Sequence, residues 1–355
     1  MTMIGKNELL SASDAQIDDA MEYASPMVLR GLLFQLTGEA DLIAMTPGTA
    51  AKYGTGKEMA HEADVDLLKA KAAAFLKQYR DNGAGEIDIG PQTRLRQSLS
   101  LTAGHEIPEN ELHIWQEEAA FDRWARGVHW QGGVAPKNVE EFKVAVIGTG
   151  ISGLNVAVQL KQAGIPFVVF EKNPEVGGSW FENRYPGARV DTSSRGYTHL
   201  FSYDYPYEYS YSPRDHNLRY FKWVADNFGI RGNIVFNTEV TSMDWDDATA
   251  QWTLKVQGPS GPGTAQFNAV ISCVGFLSRP QVPQIEGMDS FAGHAFHTAA
   301  WPEGVNVKGK RVAVVGSGAS GYQTTPVIAE TAAHLSLFQR KPNWCMEDET
   351  YLKKL

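Results

Sequence analysis

Lys143-Val144-Ala145-Val146-Ile147-Gly148-Thr149-Gly150-Ile151-Ser152-Gly153 reads as a short apolar strand entering a tight turn and leaving as a helix. A second stretch, Arg311-Val312-Ala313-Val314-Val315-Gly316-Ser317-Gly318-Ala319-Ser320-Gly321, repeats that design. The strand–turn–helix context makes each G-x-G-x-x-G a credible dinucleotide site. Its glycines let the backbone approach a pyrophosphate, which the N-terminus of the following helix then holds.

The strands after the two turns end in opposite charges. Ile165-Pro166-Phe167-Val168-Val169-Phe170 ends in Glu171, 18 residues past Gly153. A carboxylate there accepts ribose hydroxyls and repels a 2′-phosphate, which points to FAD or NAD. His334-Leu335-Ser336-Leu337-Phe338-Gln339 ends in Arg340, 19 residues past Gly321, with Lys341 after it. Arginine there suits the 2′-phosphate of NADP. Two different nucleotides imply a flavoprotein that takes hydride from NADPH.

With 355 residues the chain has room for two or three domains. Its 43% hydrophobic and 21% charged residues are those of an ordinary globular protein. A net charge of −9 argues against nucleic-acid and anionic-membrane partners. Cys273 and Cys345 cannot make a disulfide framework. No basic segment followed by an apolar one marks a signal peptide, and no run approaches a membrane span, so a cytoplasmic location is expected.

The expected fold class is α/β: an FAD-binding Rossmann-like domain and the start of an NADPH-binding one, after an α-helical N-terminal extension. Residues 1–130 form that extension. Ser25-Pro26 opens one helix, Val65 to Tyr79 forms a second that stops at Asn82-Gly83, and Glu109 to Gly127 forms a third. Such helices suit packing and subunit contact, so a homodimer through this extension is expected. A linker spans 131–140, the FAD-binding domain 141–288, a hinge segment 289–304, and the incomplete NADPH-binding domain 305–355. Within 141–288, Ser212-Pro213 opens an amphipathic helix. Asn233 to Glu239, Thr241 to Trp245 and Gln251 to Gln257 alternate as strands, with a turn at Asp246-Asp247. Ala269 to Val274 is a further strand. The tyrosines at 203, 205, 207, 209 and 211 alternate as if along an extended aromatic strand.

Two segments narrow the chemistry. Gly177-Gly178-Ser179-Trp180, leading to Tyr185-Pro186-Gly187 and Asp191, is a glycine-rich aromatic loop able to lie against a flavin ring. Phe291-Ala292-Gly293-His294-Ala295-Phe296-His297-Thr298-Ala299-Ala300-Trp301-Pro302 sits where a hinge between domains would sense nucleotide binding. The second fits F-x-G-x-x-x-H-x-x-x-W-P through Phe291, Gly293, His297, Trp301 and Pro302. The first fits a companion signature through Gly178, Trp180, Tyr185, Pro186, Gly187 and Asp191. On both, residues 141–355 resemble the type I Baeyer–Villiger monooxygenases. The N-terminal extension, with Leu32-Leu33 to Leu36-Thr37-Gly38, is similar to that of 4-hydroxyacetophenone monooxygenases.

The resemblance implies an FAD- and NADPH-dependent insertion of one oxygen atom of O2 beside a ketone carbonyl, giving an ester or lactone. The FAD contacts it implies are Gly148, Gly150, Ser152, Gly153, Glu171, Gly178, Trp180, Asp191 and Tyr197. The implied NADP contacts are Gly316, Gly318, Ser320, Gly321, Gln323, Arg340 and Lys341. His297 and Trp301 serve domain communication, and Asp191 supports a catalytic arginine. That arginine arises well after the second turn in the family, so the chain is expected to lack its C-terminal part and to be inactive alone. The rival readings are a flavin-containing N- or S-monooxygenase and a non-catalytic flavin-binding, dimerising fragment. His294 and His297 make an H-x-x-H with no third ligand, so no metal is expected.

Overall fold

The computed structural model describes residues 3–50, 57–345, 348 and 351–354, in two compact units, Met1–Ala125 and Arg126–Leu355.

The first unit is mainly helical: α1 (Met3–Ser11), α2 (Asp14–Met21), α3 (Pro26–Thr37), α4 (Asp41–Ala44), α5 (Glu62–Asp81), α6 (Leu95–Ala103) and α7 (Leu112–Glu118). A short antiparallel pair, β1 (Pro47–Ala50) and β2 (Lys57–Met59), interrupts it. Pro26 occupies the first turn of α3, and Gly38 closes it at φ +73°. Its core gathers Leu33, Phe34, Leu42, Leu68, Ala72 and Leu101, so the face expected on 65–79 packs through Leu68 and Ala72. Inside, Arg30 (3% exposed) donates to the carbonyls of Leu42, Ile43 and Met45, satisfying acceptors that α4 leaves at its C-terminus. The third expected helix is shorter than its sequence pattern: α7 ends at Glu118, and Ala120 turns the chain at φ +53°.

In the second unit, four parallel strands form a sheet in the order β5-β4-β3-β9, with β3 (Val144–Ile147), β4 (Phe167–Phe170), β5 (Ile234–Val235) and β9 (Ala269–Ser272). The helix α8 (Ile151–Gln162) crosses from β3 to β4 and packs on both strands. A single turn, α9 (Ser179–Glu182), precedes α10 (Arg214–Asn227), which packs against α8. An antiparallel meander, β6 (Glu239–Asp246), β7 (Gln251–Gly258) and β8 (Gly261–Phe267), joins the other side through a core of Ala145, Phe170, Leu254 and Phe267. The chain then builds a second, smaller parallel motif of β10 (Arg311–Val315), α11 (Ala319–Ala329) and β11 (His334–Phe338).

Two expectations change here, and one strand is new. The strand expected over 233–239 is only Ile234–Val235. Beyond it, Asn237 adopts φ +53°, and the amides of Asn237 and Thr238 turn to the carbonyls of Asn173 and Glu171. The alternating tyrosines form no ladder. Tyr205 and Tyr207 instead pack on Tyr220 of α10, and Tyr209 packs on His216. The strand β8 has no counterpart in the sequence reading.

Candidate functional site

Both glycine turns are built alike. Gly148 and Gly316 leave their strands at φ +96° and +106°, and Gly150 and Gly318 cap the following helices in extended conformation. Gly153 and Gly321, one turn into those helices, lie against the carbonyls of Gly148 and Gly316. A Cβ on either would sit 1.9 or 2.2 Å from that oxygen, so no larger residue fits. Ser152 is exposed and Ser320 half-buried on the first helical turns. In an α-helix the first amide N–H groups have no intrahelical acceptor, so each turn presents donors and positive potential to an anion.

Around the first turn the loop after β4 closes in. Gly178 sits at φ +49°, and a Cβ there would come within 2.8 Å of the Cα of Gly150. Only bare backbone allows that approach to the helix start. The chemistry fits a dinucleotide diphosphate: the donors are backbone amides at a helix start, and the segment that approaches Gly150 there is glycine backbone. Trp180 of α9 donates its indole N–H to the Tyr197 hydroxyl at 3.2 Å, with the rings edge to face. Tyr197 also stacks on Phe221, and burial raises its pKa. Of the expected flavin-loop residues, Trp180 and Tyr197 are thus in contact, and Gly178 lies against Gly150. Asp191 lies exposed at the end of that loop.

Glu171 directly follows β4 and is 3% exposed. Its Oε2 accepts from the amide and hydroxyl of Thr149, at 2.9 and 2.5 Å. Its Oε1 accepts from the amide and side chain of Asn173, at 2.8 and 2.9 Å. A carboxylate has about four acceptor positions, so Glu171 braces the turn itself, and a ribose hydroxyl would share or displace one of these donors.

The second strand end is open by comparison. Arg340 and Lys341 lie exposed just beyond β11, and Asn343 donates its side-chain amide to the Ser317 carbonyl in the turn. A cavity of about 990 Å3 abuts this turn; its lining includes Tyr185, Arg189, Ser317, Gln323 and Gln339. Gln323 is half-buried and committed to the flavin-side loop. Its Oε1 accepts from the Tyr185 hydroxyl at 3.0 Å, and its Nε2 donates to the Arg189 carbonyl at 2.8 Å. Burial raises the pKa of Tyr185, an effect that a hydrogen bond with Ser320 opposes. His297 caps a 3-10 turn by accepting the Ala299 amide at 3.1 Å, and Trp301 packs edge-on against Phe296. These two contacts fall inside the hinge segment.

Sequence reasoning missed Thr149 and Asn173 as partners of Glu171, and Arg189, whose guanidinium lies beside the rings of Tyr209 and Tyr351. It also missed His199, 5% exposed and held between Ile151 and Tyr220. The one available signal was a histidine inside the apolar stretch Tyr197-Thr198-His199-Leu200-Phe201.

Residues 141–351 match the model of the flavin-binding monooxygenase-like family. A Baeyer-Villiger monooxygenase of Streptomyces coelicolor is 40% identical over 208 residues, covering 58% of this chain and 39% of that protein. An uncharacterized monooxygenase, y4iD, of Sinorhizobium fredii is 37% identical over 340 residues, covering 93% of this chain and 49% of that protein. This second match extends into the N-terminal helices. Among solved structures, the complex of OTEMO with FAD and NADP superposes with a TM-score of 0.54 at 35% identity, over 60% of this chain and 40% of that one. The chain spans about two fifths of the length of the first three curated relatives it matches.

Proposed function

The chain belongs to the flavin-binding monooxygenase-like family, and from that premise we propose that it carries the FAD site and part of the NADPH site of a Baeyer–Villiger monooxygenase of the 4-hydroxyacetophenone type. The carrying observation is the pair of identically built turns whose strand ends differ in charge, buried Glu171 at one and exposed Arg340-Lys341 at the other. Bound FAD supplies hydride acceptance and oxygen activation. The turn Gly148–Gly153 would hold the diphosphate, and the Trp180–Tyr197 pair would offer aromatic surface to the flavin. Gly316 to Gly321 hold the second nucleotide, and Asp191 offers a carboxylate at the end of the flavin loop. The substrate is a ketone, with O2 as co-substrate.

The test is ester formation from a panel of aryl, cyclic and linear ketones with NADPH and O2, followed by mass spectrometry. Oxidation of amines or sulfides without any ester would reject the ketone reading. FAD retained through purification with no NADPH oxidation would favour a binding module instead.

A homodimer through the N-terminal helices belongs to the same reading. Val28 and Leu32, one turn apart on α3, are 49% and 51% exposed, which suits a subunit contact. Light scattering of the full chain carrying Val28→Glu and Leu32→Glu should give a monomer; an unchanged dimer would sink the assignment. Among the described residues no helix is long and apolar enough to cross a membrane, and both cysteines are free. A cytoplasmic location goes with these features, and cell fractionation checks it.

A further inference from the structure

Among the described residues His199 is the one buried histidine; it lies beside the first glycine turn, and its two ring nitrogens have different partners. Nε2 lies 2.8 Å from the carbonyl oxygen of Ile151, the first residue of α8. Nδ1 lies 2.8 Å from the Tyr220 hydroxyl on α10. That hydroxyl also receives the His199 amide at 2.9 Å and meets Ser202 Oγ at 2.7 Å. The imidazole stacks on Phe201, with centroids 4.9 Å apart and planes 8° from parallel.

The partners dictate where the protons sit. A carbonyl oxygen can only accept, so Nε2 carries the hydrogen. Burial disfavours the charged ring, so Nδ1 is bare and accepts from Tyr220. A proton-ordered chain thus runs from α10 through the imidazole to the first peptide of α8. That peptide joins the Ile151 carbonyl to the Ser152 amide in one plane. Fixing its oxygen fixes the direction of the N–H at its other end, which faces out of the helix start. Hydrogen bonds in series also polarise one another, so the bond from His199 makes the Ser152 N–H a better donor.

We propose that His199, oriented by Tyr220, is a positioning residue that aims and strengthens the Ser152 amide for the diphosphate of FAD. The inference rests on the FAD reading above and goes beyond it by assigning a role to a side chain outside both glycine motifs.

The test is the dissociation constant for FAD and for ADP, by fluorescence quenching and calorimetry, with circular dichroism reporting the fold. His199→Met fills the space without a donor and should weaken both ligands about tenfold, the loss of roughly one hydrogen bond. His199→Gln restores an amide donor toward Ile151 and should recover affinity to within about twofold. A residue that merely fills the core would show no such rescue. Wild-type affinity in a folded His199→Met protein would overturn the inference, as would failure of His199→Gln to recover. Should His199→Met not fold, Tyr220→Phe decides, because it frees the ring to swing from Ile151. A loss of about threefold is expected there, and none would overturn the idea. A wild-type protein that binds ADP but not FAD would defeat the flavin assignment instead.

Discussion

The two glycine turns share a backbone and differ in everything around it. Their first glycines leave at φ +96° and +106°, and their third glycines press equally on the carbonyl one turn back. Yet β3 is flanked by β4 and β9, with Val144, Ala145 and Val146 at most 3% exposed, whereas among the described residues β10 pairs with β11 alone. Val315 and Phe338 on that second pair are 65% and 58% exposed. The turn itself is a local object, fixed by glycine and by the step from strand to helix. Its surroundings depend on layers supplied from elsewhere in the chain, and parallel strands normally need cover on both faces.

Alanine at the first glycine separates local strain from surroundings. In Gly148→Ala the new Cβ would meet the Cys273 carbonyl at 2.7 Å as well as adopting positive φ, while Gly316→Ala meets nothing within 4 Å. Gly148→Ala should cost about 4 kcal/mol, strain plus overpacking, and Gly316→Ala about 1 kcal/mol, strain alone. Urea titration of both variants measures the gap. Equal losses would mean that the sheet around β3 yields as freely as the open motif.

Acid should strike the first motif through His199. Burial depresses the folded pKa from 6.5 to about 4, so on acidification the unfolded chain takes up a proton that the folded one refuses. The stability held by the neutral ring is complete above about pH 6.5 and is lost as pH falls toward 4, by about 3 kcal/mol in all. Melting temperatures between pH 7 and 4.5 should therefore fall more steeply in the wild type than in His199→Gln. Parallel slopes would show that the ring already charges in the folded state.

The strand-end charges should separate stability from nucleotide choice. Glu171→Gln turns an amide NH2 toward donors, breaks up to two of the four bonds to Thr149 and Asn173, and should cost about 2 kcal/mol in stability. Arg340→Ala removes an exposed side chain and should change stability by less than about 0.5 kcal/mol. It should instead weaken NADPH about tenfold and leave NADH unaffected. Equal weakening of NADPH and NADH would remove the 2′-phosphate from the account of Arg340.

Legibility in the sequence divides along the same line. The strands at Val144, Phe167, Ala269 and Arg311 and the helices at Ile151 and Arg214 could be read because apolar runs, turn glycines and helix signals are local. The strand β8 was hidden because Gly261-Pro262-Gly263 carries no alternation; its place comes from pairing with β7. The tyrosines at 205, 207 and 209 mimic a strand, but α10 supplies aromatic partners that a single ladder could not. At the site, the motif residues were visible and their braces were not. Thr149 and Asn173 on Glu171, and Tyr220 on His199, are tertiary choices that leave no periodicity behind.

The most local effect lies where the two motifs meet. The sequence suggests Gln323 as a nucleotide contact, yet its amide is spent across the junction, accepting from Tyr185 and donating to the Arg189 carbonyl. Both bonds are half-buried, so Gln323→Ala should cost about 1 kcal/mol and Tyr185→Phe less. The informative readout is local. Hydrogen exchange at the Arg189 amide, which also donates to Gln323 at 3.3 Å, should quicken in Gln323→Ala while β3 stays protected. If exchange in β3 quickened equally, the clamp would be part of the flavin-side core, and the two turns would be one cooperative unit instead of a finished motif tied to an open one.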